Sequence, residues 1–218
     1  MKKLFALTLV LLACESPTIP DRIAQDVYRY ELPTPALRVL RWPVGKVVNV
    51  YVVGHTDAAR TEALHAALSN AIEVWNAAVL FGEVQLRETS NVNEADALLN
   101  FSGTLLPVSV SDCPPGGSAA YTTFCLTVDQ EHLKVFPLSG NDIGQVKFIV
   151  TVRTVTPLVP ADVTRLVAHE MGHVLGLAQH SPLSTDLMHE LAAVATRPTP
   201  RDRATLQALY HTPAEITP

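Results

Sequence analysis

Apolar positions along this chain fall into two periods. Residues 46–53 are dense in valine and predict a first strand, and Val84–Glu88 and Ala97–Phe101 carry the same β signature. Between the first two, Leu64, Leu68, Ile72, Trp75 and Val79 recur three or four residues apart. They form one stripe of a helix that Asp57 can cap and that runs to about Val79. Trp75 reads as a core anchor of that stripe, and Asp96 as a strand-end or turn residue. Residues 118–127 predict a further strand. Residues 146–155 form a strongly β-branched run, with residues 126–136 as its hairpin partner and Gly140-Asn141-Asp142 as the turn between them.

The helical period returns at Val163, Leu166, Val167 and Val174, and a short apolar patch follows at residues 191–194. Thr199-Pro200-Arg201-Asp202 opens a final helix. Thr199 serves as its cap, Pro200 takes the first position, Leu206, Leu209 and Tyr210 fix it to the domain, and Pro213 ends it. Mixed helix and strand signals in this order, a helix, several strands and then two helices, predict an α/β or α+β layer arrangement. No internal repeat is visible.

The second of these helices carries chemistry. His169 and His173 stand four residues apart, so their imidazoles lie one above the other and can grip one ion. Glu170 is rotated by about 100° from His169, close enough to reach a water at the metal without ligating. Gly176 permits a left-handed turn that brings His180 round as a third ligand. The bland alternative is a buried helix that happens to carry two histidines and a glutamate. His55, His65, His132 and His211 show no ligand spacing.

Composition narrows the function classes. The chain has 218 residues, 48% hydrophobic and 17% charged, enough for one sizeable core. Its formal charge of -5 and the lack of any basic run beyond Lys2-Lys3 exclude the footprint of a nucleic-acid binder. Lys2-Lys3 followed by the apolar residues 4–12 reads as an export signal, too short to span a bilayer, which needs roughly 20 residues as a helix. Leu11-Leu12-Ala13-Cys14 resembles a bacterial lipobox, which implies lipidation at Cys14 and a membrane-anchored protein facing the periplasm or cell exterior. A plain signal peptide cut nearby is the alternative. Cys113 and Cys125 remain as an even pair in an exported chain. They form a candidate disulfide worth about 2–3 kcal/mol, against the alternative of two separate buried thiols. The organisation expected is a signal peptide over residues 1–14, a Pro-rich tether over 15–37, one folded domain over 38–212 and a tail over 213–218.

His169, Glu170, His173, Gly176, His180 and Met188 together resemble the metzincin zinc peptidases, whose pattern is H-E-x-x-H-x-x-G-x-x-H followed by a methionine turn. The phrase H-E-M-G-H-V-L-G-L is most similar to the matrixin branch. The resemblance implies an α+β zincin-like fold over residues 38–212, a twisted mixed sheet with a long backing helix, an active-site helix and a C-terminal helix. It implies one catalytic zinc with Met188 below it, and hydrolysis of protein or peptide substrates by a metal-activated water with Glu170 as general base. It also implies an edge strand over residues 118–124 that pairs with extended substrate. The family's third histidine falls where this chain has Gln179, and His180 lies one residue later; an extra residue at Ala178 or Gln179 restores the pattern. Asp186 and Glu190 stand as other candidates for the third ligand. A second class of function is a non-catalytic zinc-containing surface lipoprotein that acts as a binding module.

Overall fold

The computed structural model describes residues 26–32, 38–107, 120–123, 125–129, 132–136, 146–153, 157–191 and 194–218, and between 120 and 136 the side chain of Thr122 alone. Cys14, Cys113, the turn at residues 140–142 and residues 192 and 193 of the patch at 191–194 lie outside the described residues. Of Cys125 the backbone is described, so the expected lipidation and disulfide fall there as well.

Strand β1 (Lys46–Val52) pairs in parallel with β2 (Val84–Glu88) on one side and β3 (Ala97–Phe101) on the other. Next to β3 lies β7 (Phe148–Val152), also parallel, with Leu98 opposite Ile149. The last strand of this sheet is β4 (Ala120–Thr123), antiparallel to β7 with Thr122 opposite Val150. A separate two-stranded sheet joins β5 (Cys125–Asp129) to β6 (His132–Phe136). This is the mixed sheet predicted, with two corrections. Residues 126–136 do not pair with β7; they divide between β5 and β6, and the single strand expected over 118–127 divides between β4 and β5. Every position of β7 is buried, so its apolar run marks an interior strand covered on both faces rather than the outer arm of a hairpin.

Three helices complete the domain. Helix α1 (Ala58–Asn76) starts where the Asp57 carboxylate accepts from Ala59 N–H at 3.0 Å. It buries Leu64, Leu68 and Trp75 between the sheet and helix α2 (Pro160–Val174). Helix α3 (Pro200–His211) opens with a capping box, in which Thr199 Oγ1 accepts from Asp202 N–H and the Asp202 carboxylate accepts from Thr199 N–H. Asp96 has a structural role: its carboxylate accepts from Lys46 Nζ and Asn49 N–H, both at 2.8 Å. Within the stretch expected as a tether, residues 26–32 pack against the domain, burying Tyr28 and Leu32.

The core fixes α2 tightly. Its final carbonyls lack intrahelical partners, as at any helix end. The Trp42 indole N–H donates to Val174 O at 2.8 Å and the Tyr210 hydroxyl to Leu175 O at 3.0 Å. Along its length, the Trp75 indole N–H donates to Ala168 O at 2.7 Å. Gly172 lies between Trp75 and Met188. A methyl group there would overlap the Met188 sulfur and come within 2.8 Å of the Trp75 ring. A glycine inside a helix costs about 1 kcal/mol relative to alanine, and here it admits the methionine. Gly172→Ala is expected to destabilise the protein by about 1–3 kcal/mol despite the better helix propensity of alanine, as read from the midpoint of urea unfolding. Equal or greater stability would show that the two side chains repack freely.

Candidate metal centre

Helix α2 places His169 and His173 on one face, and the chain after it returns His180 to the same point. Gly176 makes that return possible. Its φ is 108°, and a Cβ would stand 2.6 Å from Leu40 O, so both conformation and space require glycine. One nitrogen from each of His169, His173 and His180 lies within 4.8 Å of the others, and this is the metal-capable cluster among the described residues. The ring centroids are 5.0–5.3 Å apart.

The remaining nitrogens show how two of these rings are oriented. His169 Nδ1 is 2.7 Å from Leu187 O, and His173 Nδ1 is 2.5 Å from Leu177 O. A carbonyl only accepts, so each Nδ1 carries the proton and each Nε2 keeps a lone pair for the cluster. Burial is the main cause that lowers the pKa of both rings to about 4, with His173 acting further on His169 and His180 on His173. Burial also lowers His180, against the pull of Glu190. The imidazoles are therefore neutral at pH 7, the form that zinc accepts.

Glu170 lies on the buried side of the same helix turn, 4% exposed, and its carboxylate accepts from the Thr122 hydroxyl at 2.7 Å. Burial raises its pKa above the ordinary carboxylate value, while His169 and the Thr122 hydrogen bond act in the opposite sense. A raised carboxyl pKa brings the group closer to the range in which a general base works best. Strand β4 thus reaches the site through Thr122.

The other candidate ligands are placed elsewhere. Gln179 turns away, its side-chain amide donating to Glu31 O at 2.8 Å. Asp186 is buried and accepts from Ser181 Oγ at 2.5 Å and Thr199 Oγ1 at 2.8 Å, with Arg201 Nε at 3.3 Å. Glu190 is near enough to act on His180 electrostatically but is not in the cluster. Met188 is fully buried under α2, and its turn is bonded to the third-histidine loop through Ser181 N–H to Met188 O at 2.8 Å.

Three supports escape the sequence reading. Asp202, read there as a helix-start residue, also accepts from Leu187 N–H at 2.9 Å and from Met188 N–H at 3.4 Å, and so holds the methionine turn. The Tyr28 hydroxyl donates to the same carboxylate at 3.0 Å; burial and the Asp202 charge raise its pKa, which keeps it protonated. Thr122 is the third, an ordinary strand residue with no local sign of its role. Gly172 did carry a sign, since an interior helical glycine calls for a packing reason.

No family model matches this chain, and no curated protein matches it. Among solved structures, the chain is similar to archaemetzincin from Methanopyrus kandleri at 13% identity and TM-score 0.42, over 77% of this chain and 96% of that one. It is also similar to two structures of myroilysin. One has 12% identity and TM-score 0.45 over 89% of this chain and 97% of that one; the other has 11% and 0.42 over 79% and 96%. At that similarity the site's own geometry carries the chemistry.

Neutral, partly buried imidazoles set an acid limit for the metal-free protein. Unfolded histidine takes up its proton near pH 6.5, whereas His169 and His173 in the fold resist until about pH 4. Between those values the unfolded chain binds more protons, so stability falls as pH drops; above about 6.5 the rings contribute no pH dependence. Glu170 works in the opposite sense, as one group against two. Thermal unfolding of chelated protein is expected to show a loss on the order of 1–2 kcal/mol per ring at pH 5 relative to pH 7. A flat profile over that window would contradict the neutral state of the two rings.

Proposed function

We propose that this protein is a zinc-dependent endopeptidase in which Glu170 is the general base and His169, His173 and His180 hold one catalytic ion. The observation that carries this reading is the cluster of three imidazole nitrogens within 4.8 Å, with the buried Glu170 carboxylate on the same helix. A purely structural zinc site needs four ligands and no base, whereas three neutral nitrogens leave a position open and suit zinc as nitrogen donors. Zinc in such a site lowers the pKa of water to about 7 and polarises a carbonyl oxygen.

The chain's own groups supply the remaining steps. Glu170 takes a proton from the water that attacks the scissile carbonyl and delivers it to the departing amine. The Thr122 hydroxyl orients that carboxylate through the bond to one of its oxygens. Strand β4 pairs with β7 on one side, and its other side supports pairing with an extended peptide as an added strand. Such pairing reads backbone rather than side chains and suits protein substrates in general. Met188 gives the ligands an apolar floor and does not itself ligate. The H-E-M-G-H-V-L-G-L phrase supports the matrixin branch. The basic and apolar N-terminus with Cys14 supports an exported, lipid-anchored form.

Purified protein loaded with zinc is expected to cleave a denatured protein substrate and to lose that activity to a chelator. Glu170→Ala should retain zinc but lose about 10²–10⁴-fold in kcat/KM, the usual contribution of a general base. Zinc retention without cleavage, and no difference between the native protein and Glu170→Ala, would favour the zinc-containing binding module instead.

A further inference from the structure

The three rings of the cluster are held differently. His169 and His173 ride on α2, and each seats its Nδ1–H on a carbonyl. Among the described residues no hydrogen bond reaches the His180 ring, and His180 is also the exposed member of the three. Its place is therefore inherited from the loop that carries it.

That loop is tied on both sides of His180. Leu177 N–H donates back to Gly172 O at 3.1 Å, and Ser181 N–H donates forward to Met188 O at 2.8 Å. The two residues between Leu177 and His180 are fastened to the N-terminal segment 26–32: Ala178 N–H donates to Tyr30 O at 3.2 Å, and the Gln179 amide to Glu31 O at 2.8 Å. The amide nitrogen must face that carbonyl, because two oxygens at this distance would repel. The segment is itself well fixed. Tyr28 is bonded to Asp202, the Tyr30 hydroxyl lies 3.0 Å from Thr212 Oγ1, and Leu32 is buried with its N–H on Arg38 O at 2.8 Å.

We infer that Gln179 is a positioning residue for the metal: its side-chain amide, braced on the Glu31 carbonyl, holds the longer turn after Gly176 so that His180 faces the other two rings. The residue that stands where a shorter turn would put a ligand acts as the strut for the ligand one position later. The N-terminal segment is then part of the site, although none of its side chains enters the cluster. This rests on His180 being the third ligand in the function proposed above.

The test is zinc affinity, measured by competition with a chromophoric chelator, together with the visible absorption of the cobalt(II)-loaded protein. Gln179→Met keeps length and bulk but has no donor. It is expected to bind zinc about 10- to 100-fold more weakly, the range for residues that orient metal ligands, and to lose the strong absorption of tetrahedral cobalt. Gln179→Glu keeps the shape but replaces the donor nitrogen by an oxygen that accepts, and it should weaken binding at least as much. In a His180→Ala background, Gln179→Met should add no further loss, because the strut acts through His180.

Unchanged affinity in both Gln179 variants overturns the inference. So does the same loss with and without His180, which would mark a general effect on the fold. If His180→Ala loses affinity while Gln179→Met does not, the strut alone falls. If His180→Ala leaves affinity unchanged, the ligand assignment falls and takes the strut with it.

Discussion

Two short hydrogen bonds, from His169 Nδ1 to Leu187 O and from His173 Nδ1 to Leu177 O, tie the helix to the segments on either side of its turn. Each decides three things at once. It fixes the tautomer, so the other nitrogen keeps its lone pair; it fixes the angle of the ring; and it joins α2 to a loop that would otherwise be set only by its ends. Leu187 immediately precedes Met188, so the first bond places the methionine turn, and Leu177 follows Gly176, so the second locks the turn that returns His180. Met188 then fits because Gly172 has no side chain to oppose it.

A buried carboxylate carries the next layer outward. Asp202 is wholly inaccessible, and an ion in such a place is tolerated only when donors surround it. Here the Tyr28 hydroxyl and the N–H groups of Leu187, Met188 and Thr199 supply them. One side chain thereby joins the N-terminal segment, the methionine turn and the start of α3. Removing it would strand several buried donors at once, each costing about 1–3 kcal/mol.

Much of this was legible in the sequence because its signals are local. The stripe from Leu64 to Trp75, the Asp57 and Thr199 caps, the left-handed Gly176 and the spacing from His169 to His173 all depend on residues within a few positions of one another. The pairing of β7 was not legible, since an apolar run shows that a strand is buried but not which strand lies beside it. Thr122 was invisible for the same reason, as its role exists only once β4 lies against α2. Asp202 was half legible: its cap is local, whereas its bonds to Leu187 and Met188 cross a turn. The prolines on either side of residues 26–32 suggested a tether, and the buried Tyr28 and Leu32 show that this part of it packs on the domain, a contact that composition does not encode.

The bond between Tyr28 and Asp202 spans 174 positions, nearly the whole described chain. A chain growing from its N-terminus already contains every metal-capable histidine once His180 has been made, yet it lacks the carboxylate that gathers the methionine turn and the first segment. The site cannot reach its described geometry until α3 has been synthesised and has docked. The centre as described is complete only when both ends of the domain have met.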